Sequence, residues 1–237
     1  MTAPTSSKVR FKGVNSEEGL KLLEGCDAVK VIVGTETQKT WSLPKKLLAH
    51  VSPFFDAALN GSWVEATSND ISLPEDNPAA FETFVQWIYS GKLVTGSMDD
   101  IPRYIRAWTL GDKLRCPAFQ DCAMLHLLHL HMRVYVEPKT VQLAYEGSMA
   151  GSRLRKWALQ EFSSGITCGK YVDTAEEWAC VAKNTVDFGY DYVQASAASF
   201  AALGFNPFEA GQQYLEVLVY EDEGIEKWEM APKVNDK

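Results

Sequence analysis

The chain has 237 residues, 46% of them hydrophobic, and a formal net charge of −8. That is enough apolar material for a substantial core and argues against global disorder. The charge is uneven: residues 1–136 carry 14 Lys+Arg against 15 Asp+Glu, whereas residues 137–237 carry 9 against 16. This balance argues against nucleic acid as a direct partner, because phosphate binding needs a basic surface. The small cluster of Arg153, Arg155 and Lys156 does not reverse it. Residues 1–15 read as polar and loose, and Ser16–Glu24 as one or two helical turns carrying Leu20, Leu22 and Leu23. Ala28–Val33 is short and β-branched, as a strand needs. Thr37–Leu43 follows at hairpin distance. Pro44 suits a first helical position, with Leu47, Leu48 and Val51 on one face. Ser52-Pro53 opens a second helix with Ser52 as N-cap, carrying Phe54, Phe55, Ala58 and Leu59 and stopping at Asn60-Gly61. Asp70–Leu73 alternates polar and apolar residues like a half-buried strand. Asn77-Pro78 begins a helix with a Phe81, Phe84, Val85, Ile88 stripe and a terminal Gly91.

Further along, Asp99 or Asp100 can cap a helix with Ile101, Tyr104, Ile105 and Trp108 on one face, and Pro117 opens another running to about Arg133. The break at Glu137-Pro138 is read as a boundary. Beyond it everything is helical: Val141, Ala144 and Tyr145 mark one segment, and Leu154, Trp157 and Ala158 the next. Thr174 and Glu177 form a capping-box signature ahead of Trp178, Val181 and Ala182. Gly189–Leu203 is Ala-rich with aromatic anchors. Asn206-Pro207 caps a last helix with Phe208, Gln212, Leu215 and Val219. Such short helices are unstable alone and must pack on each other or on the first half. Residues 221–237 read as an acidic, mobile tail, in which Trp228 and Met230 either dock back on the domain or form a short binding motif.

The stretch from Asp27 to Lys92 resembles the BTB (POZ) domain, in particular its fungal single-chain versions. The matching residues are Asp27, Leu47-Leu48, Ser52-Pro53-Phe54-Phe55, Gly61 with Glu65, Ile71-Ser72-Leu73-Pro74 and Trp87-Ile88-Tyr89-Ser90-Gly91. The family usually has a histidine where this chain has Pro44, which puts a polar link between that position and Asp27 in question. The resemblance covers roughly residues 23–133. It implies an α+β fold, a three-stranded sheet plus helices, followed by an all-helical C-terminal region. The expected division is an extension at 1–22, the BTB/POZ domain at 23–133, the helical region at 134–220 and the tail at 221–237. Tyr145-Glu146 and Ser152-Arg153-Leu154-Arg155 are similar to the helical tails of such fungal proteins.

No apolar run approaches the roughly 18 residues of a membrane helix, and the N-terminus lacks the apolar region of a secretory signal. Neither a membrane nor a nucleic acid is expected as partner. The five cysteines are odd in number and scattered, which fits reduced thiols in a cytoplasmic or nuclear protein. Cys122, His126 and His129 lie at i, i+4, i+7 on one helical face, where zinc could be held. The flanking Leu125, Leu127, Leu128 and Leu130 favour a buried core helix whose histidines reach solvent or a backbone carbonyl, so no metal or cofactor is expected. No nucleophile elbow, phosphate-binding glycine loop or dinucleotide fingerprint occurs, so the chain is expected not to be an enzyme.

The expected function is protein–protein interaction. Where BTB domains bind a cullin scaffold, an apolar residue, any residue and then Glu occupy the loop after the helical hairpin. The resemblance therefore implies a partner-binding role for Trp63 and Glu65, with Tyr89 at a further contact position. The alternative is that Trp63 caps the domain's own core and Glu65 is solvated. An adaptor for a cullin-RING ubiquitin ligase and a BTB scaffold or transcription-associated cofactor that never meets a cullin both remain open. The resemblance also implies homodimerisation, for which Ser16–Glu24 is a short exchange element.

Overall fold

The computed structural model describes residues 13–14, 17–61, 70–94, 100–131, 136–167, 169 and 174–199. Strand β1 (Ala28–Val33) lies at the centre of a three-stranded sheet, antiparallel to β2 (Lys39–Pro44) and parallel to β3 (Asp70–Leu73). Its register pairs Val31 with Trp41 on one side and with Ile71 on the other. The two-residue period of a strand puts Val29, Val31 and Val33 on the buried face, while Lys30 points to solvent. The second strand starts two residues later than its composition suggests, at Lys39 rather than Thr37, and includes Pro44. Pro44 is thus the extended residue before helix α2 (Lys45–Val51), with φ −61° and ψ 123°, and not its first helical residue. Pro44 has no N–H to lose at this sheet edge.

The helical hairpin forms as expected. Ser52 caps α3 (Pro53–Asn60), accepting the Phe55 N–H at 3.3 Å while its own hydroxyl donates to Leu114 O at 2.6 Å. Asn77 caps α4 (Pro78–Ser90) by accepting from the amides of Ala79 and Ala80. Gly91 ends α4 at φ +69°, in the left-handed region that a glycine adopts without strain. Phe55, Phe81, Phe84, Trp87 and Phe119 interlock in a buried aromatic cluster. Phe84 lies 6.2 Å from Phe55, 5.7 Å from Phe81 and 5.2 Å from Phe119 between ring centroids. Phe54, whose helical spacing reads as that of a core residue like Phe55, is only partly buried and packs on the rim of this cluster.

Helices α5 (Ile101–Lys113) and α6 (Pro117–His131) complete the first half. Asp100 stands at the N-cap of α5 but its side chain makes no capping hydrogen bond. The C-terminal half consists of α7 (Pro138–Glu146), α8 (Arg153–Thr167), α9 (Ala175–Asn184) and α10 (Phe188–Ser199). Thr174 is the N-cap of α9, yet the capping box expected with Glu177 does not close from the threonine side chain. The halves share one continuous set of buried apolar residues, running from Val29 through Tyr104, Val136, Val141 and Trp157 to Phe188. α7 rests directly on α5: a Cβ on Gly147, just past the end of α7, would stand 2.7 Å from Thr109 Oγ1.

α7, α8 and α10 are locked by Arg155, whose side chain is only 11% exposed. Its guanidinium donates to the carbonyls of Tyr145 and Ser148, pairs with Asp187 at 3.1 Å and lies 4.7 Å over the Tyr145 ring. The Tyr145 hydroxyl in turn donates to Asp191 at 3.0 Å. Burial and the Asp191 carboxylate raise the Tyr145 pKa, keeping it a donor. Asp187 sits at φ +67°, a left-handed conformation that aspartate tolerates better than most residues.

Candidate partner-docking site

The segment after the helical hairpin is anchored on both sides. α3 closes with the Gly61 N–H donating to Ala57 O at 3.0 Å, and the chain is next described at Asp70, where β3 joins β1. Trp63 and Glu65 lie between these anchors, outside the described residues, so their exposure and their distance from Tyr89 are not part of this geometry. Pro44 brings no polar side chain to this place, and the start of α2 is tied to the residues before β1 through backbone amides. Asp27 O accepts the Lys45 N–H at 2.8 Å, and Cys26 Sγ accepts the Lys46 N–H at 3.1 Å.

Tyr89 is on the last turn of α4, half-buried against the core, and loss of solvent raises its phenol pKa. Its carbonyl accepts the Val14 N–H at 3.1 Å. This contact departs from the reading of residues 1–15 as loose. Val14 is buried at 9% exposure, and Gly13 has φ +71° with room for no side chain, since a Cβ there would stand 2.5 Å from Gly91 N and from Tyr89 O. Gly19, on α1 (Glu17–Lys21), is equally tight against Gly13 O and Val14 Cα, at 2.5 Å. The two glycines were the available sequence signal. They mark where backbone meets backbone closely, and an isolated glycine in a polar segment does not by itself announce such an approach.

Cys122 and His126 are buried inside α6, and His129 is partly buried. His126 does not reach solvent: it stacks on Tyr104 with centroids 4.8 Å apart and planes 12° apart. Burial, then the charges of His129 and Arg103, push its pKa down to about 3, so it packs as a neutral ring. Among the described residues no group of three or more His, Cys, Asp or Glu is placed to hold a metal ion. Cys116 is buried, and burial pushes its thiol up to about 12, well away from the thiolate a nucleophile requires. No described helix is long and apolar enough to cross a membrane.

A search of curated proteins finds no match to the chain. The family model described as the BTB/POZ domain matches residues 20–128, a little under half of the sequence, starting within α1 and ending within α6. The match takes in the sheet, the hairpin, α4 and α5 in the order the sequence led us to expect. The chain therefore carries a BTB/POZ domain, a protein–protein interaction module, over residues 20–128.

Proposed function

We propose that this protein is a non-enzymatic adaptor whose BTB/POZ domain docks a cullin-RING ubiquitin ligase scaffold, with Trp63 as apolar anchor, Glu65 as charged rim and Tyr89 beside them. The observation that carries the reading is the domain match over residues 20–128 together with the placement of Trp63-Val64-Glu65 between α3 and β3. A large aromatic followed by a rim carboxylate is the composition of a binding hot spot. We place the chain among single-BTB proteins of the fungal kind, in the cytoplasm or nucleus. The free thiols of Cys26, Cys116 and Cys180 suit a reducing compartment. Residues 134–220 would brace the domain or select a client, and self-association through the BTB part is a companion proposal.

The test is titration of a cullin N-terminal fragment against the wild type, Trp63→Ala and Glu65→Ala. Truncating the anchor should cost about 2 kcal/mol, roughly thirtyfold in affinity. Losing Glu65 should cost less and depend on salt. Absence of binding by the wild type removes the cullin reading in favour of a scaffold or transcription-associated cofactor. Equal binding by all three proteins moves the site elsewhere.

A further inference from the structure

β2 is an edge of the sheet, and the register shows which of its backbone groups are already paired. The Lys45 N–H donates to Asp27 O at 2.8 Å, which makes Asp27 and Lys45 a hydrogen-bonded pair. Such pairs alternate along an antiparallel ladder. Lys39, Trp41 and Leu43 therefore turn their N–H and C=O toward β1, opposite Val33, Val31 and Val29. Thr40, Ser42 and Pro44 turn theirs away from it. The N–H groups of Thr40 and Ser42 and the carbonyls of all three face outward, and among the described residues nothing pairs with them. Pro44, which has no N–H, falls at an outward position, where a strand tolerates it. A bare edge is usually blunted by a bulge, a charge or a proline within the strand. Here the register runs unbroken, the Lys39 ammonium is held at 2.9 Å by Glu82 on α4, and the proline comes last.

We propose that β2 takes up an extended segment of a partner protein as a further, antiparallel strand. The segment carries an apolar residue opposite Trp41 and acidic residues at its N-terminal end, opposite Lys45 and Lys46. None of the residues assigned to the cullin contact takes part, so the two readings stand or fall separately. Trp41 is half-buried on the α4 face, with its ring 4.9 Å from that of Phe81. For a strand added beyond β2 it stands in a non-hydrogen-bonded pair, where side chains on neighbouring strands come closest. Charge selects the ends of the segment. β2 carries Lys39 and no acidic residue, and α2 opens with Lys45-Lys46 and has no acidic residue in its first turn. Glu36 stands at the opposite end, in the turn before β2. A second copy of the chain would bring the same lysines to the edge. Size also argues against it, because three outward residues offer far less than the roughly 800 Å² per partner of a stable interface. An extended segment needs only the main-chain bonds of the edge and a place for alternate side chains.

The experiment uses the full chain and a synthetic peptide, acetyl-Glu-Glu-Thr-Val-Thr-Val-Thr-amide, with backbone amides followed by NMR. In the free chain the Thr40 and Ser42 amides should exchange rapidly and those of Trp41 and Leu43 slowly. The peptide should slow exchange at Thr40 and Ser42 by roughly tenfold or more. Ser42→Pro removes an outward donor that the fold does not use. It should weaken binding roughly tenfold, the worth of one lost backbone hydrogen bond, and leave the unfolding midpoint unchanged. A second measurement is independent of how that variant folds: methylating the nitrogen of the peptide's fifth residue, which donates to Ser42 O, should weaken binding to the same extent. No response of Thr40 and Ser42 at about 1 mM peptide overturns the proposal, as does equal binding of the methylated and unmethylated peptides. Slow exchange at Thr40 and Ser42 in the free chain overturns it as well. Protection lost on dilution assigns the edge to a second copy, and protection that persists assigns it to a segment of this chain.

Discussion

The two halves of the molecule each pack around an aromatic cluster, and they hold it together differently. In the first half Phe55, Phe81, Phe84, Trp87 and Phe119 meet ring to ring, and the surrounding Val29, Val31, Leu47, Leu48 and Ile88 contribute no polar atom. In the second half Tyr145, Phe162, Trp178, Phe188 and Tyr192 form the rings, and a charged bracket of Arg155, Asp187 and Asp191 sets how their helices meet. Dispersion and the hydrophobic effect are non-directional and tolerate small shifts. The guanidinium's fixed donors do not, so the second cluster is defined by geometry as well as by area.

The comparison breaks most easily at the dry cluster. Phe84 is fully buried and touches four other rings, and Phe84→Ala should cost about 3–5 kcal/mol. Because the apolar core is continuous, far-UV and aromatic signals should be lost in one transition at a lower urea midpoint. Two separate transitions would show that the halves unfold independently. Arg155→Met tests the bracket. It removes a nearly buried charge from Asp187 and leaves the Tyr145 and Ser148 carbonyls without that donor, a loss of about 1.5–3 kcal/mol. Amide exchange should quicken in α8 and α10 and stay unchanged in β1; equal acceleration in β1 would erase the distinction.

The neutral His126 gives the first half its own pH sensitivity. Its folded pKa is depressed to about 3 from an ordinary value of 6.5, so below pH 6.5 the unfolded chain binds a proton that the folded chain does not. Stability is therefore full above pH 6.5 and falls as the pH drops toward about 3, by up to ~1.4 kcal/mol per pH unit from this group. Urea denaturation at pH 7 and 5.5 should show a shallower loss for His126→Gln than for the wild type. Equal slopes would mean that the ring is not held neutral. The smallest expected effect is at the N-terminal contact. Gly13→Ala adds about 1–2 kcal/mol of left-handed strain and a Cβ 2.5 Å from Gly91 N and Tyr89 O, so residues 13–14 should leave the end of α4 as a local change. The Val14 amide should then exchange freely while the aromatic cluster stays protected.

Much of the first half is legible from residue order. Ser52-Pro53, Asn77-Pro78 and Gly91 act through their immediate neighbours, and the strand and helix periods of Val29–Val33 and Phe81–Ile88 need no tertiary information. Phe54 shows the limit. Its spacing matches that of a core residue, but only packing decides that Phe55 turns fully inward and Phe54 stays on the rim. The Thr174–Glu177 signature shows another, since a capping pattern states a capacity and the local geometry decides whether the threonine side chain uses it. Of the candidate site, the sequence offers Trp63, Glu65 and Tyr89 only through position along the chain. That Tyr89 is half-buried, with Val14 bonded to its carbonyl, depends on residues 75 positions apart meeting in space.

What this sequence by itself determined is the class of the fold: an α+β domain followed by helices, because caps, periodicity and β-branching act within a few residues of one another. The tertiary structure alone decided that the halves share one core, that Arg155 joins three helices, and that His126 is stacked and neutral. These depend on which faces meet across long separations in the chain, and a side chain's environment, unlike its helical or strand period, is a property of its neighbours in space.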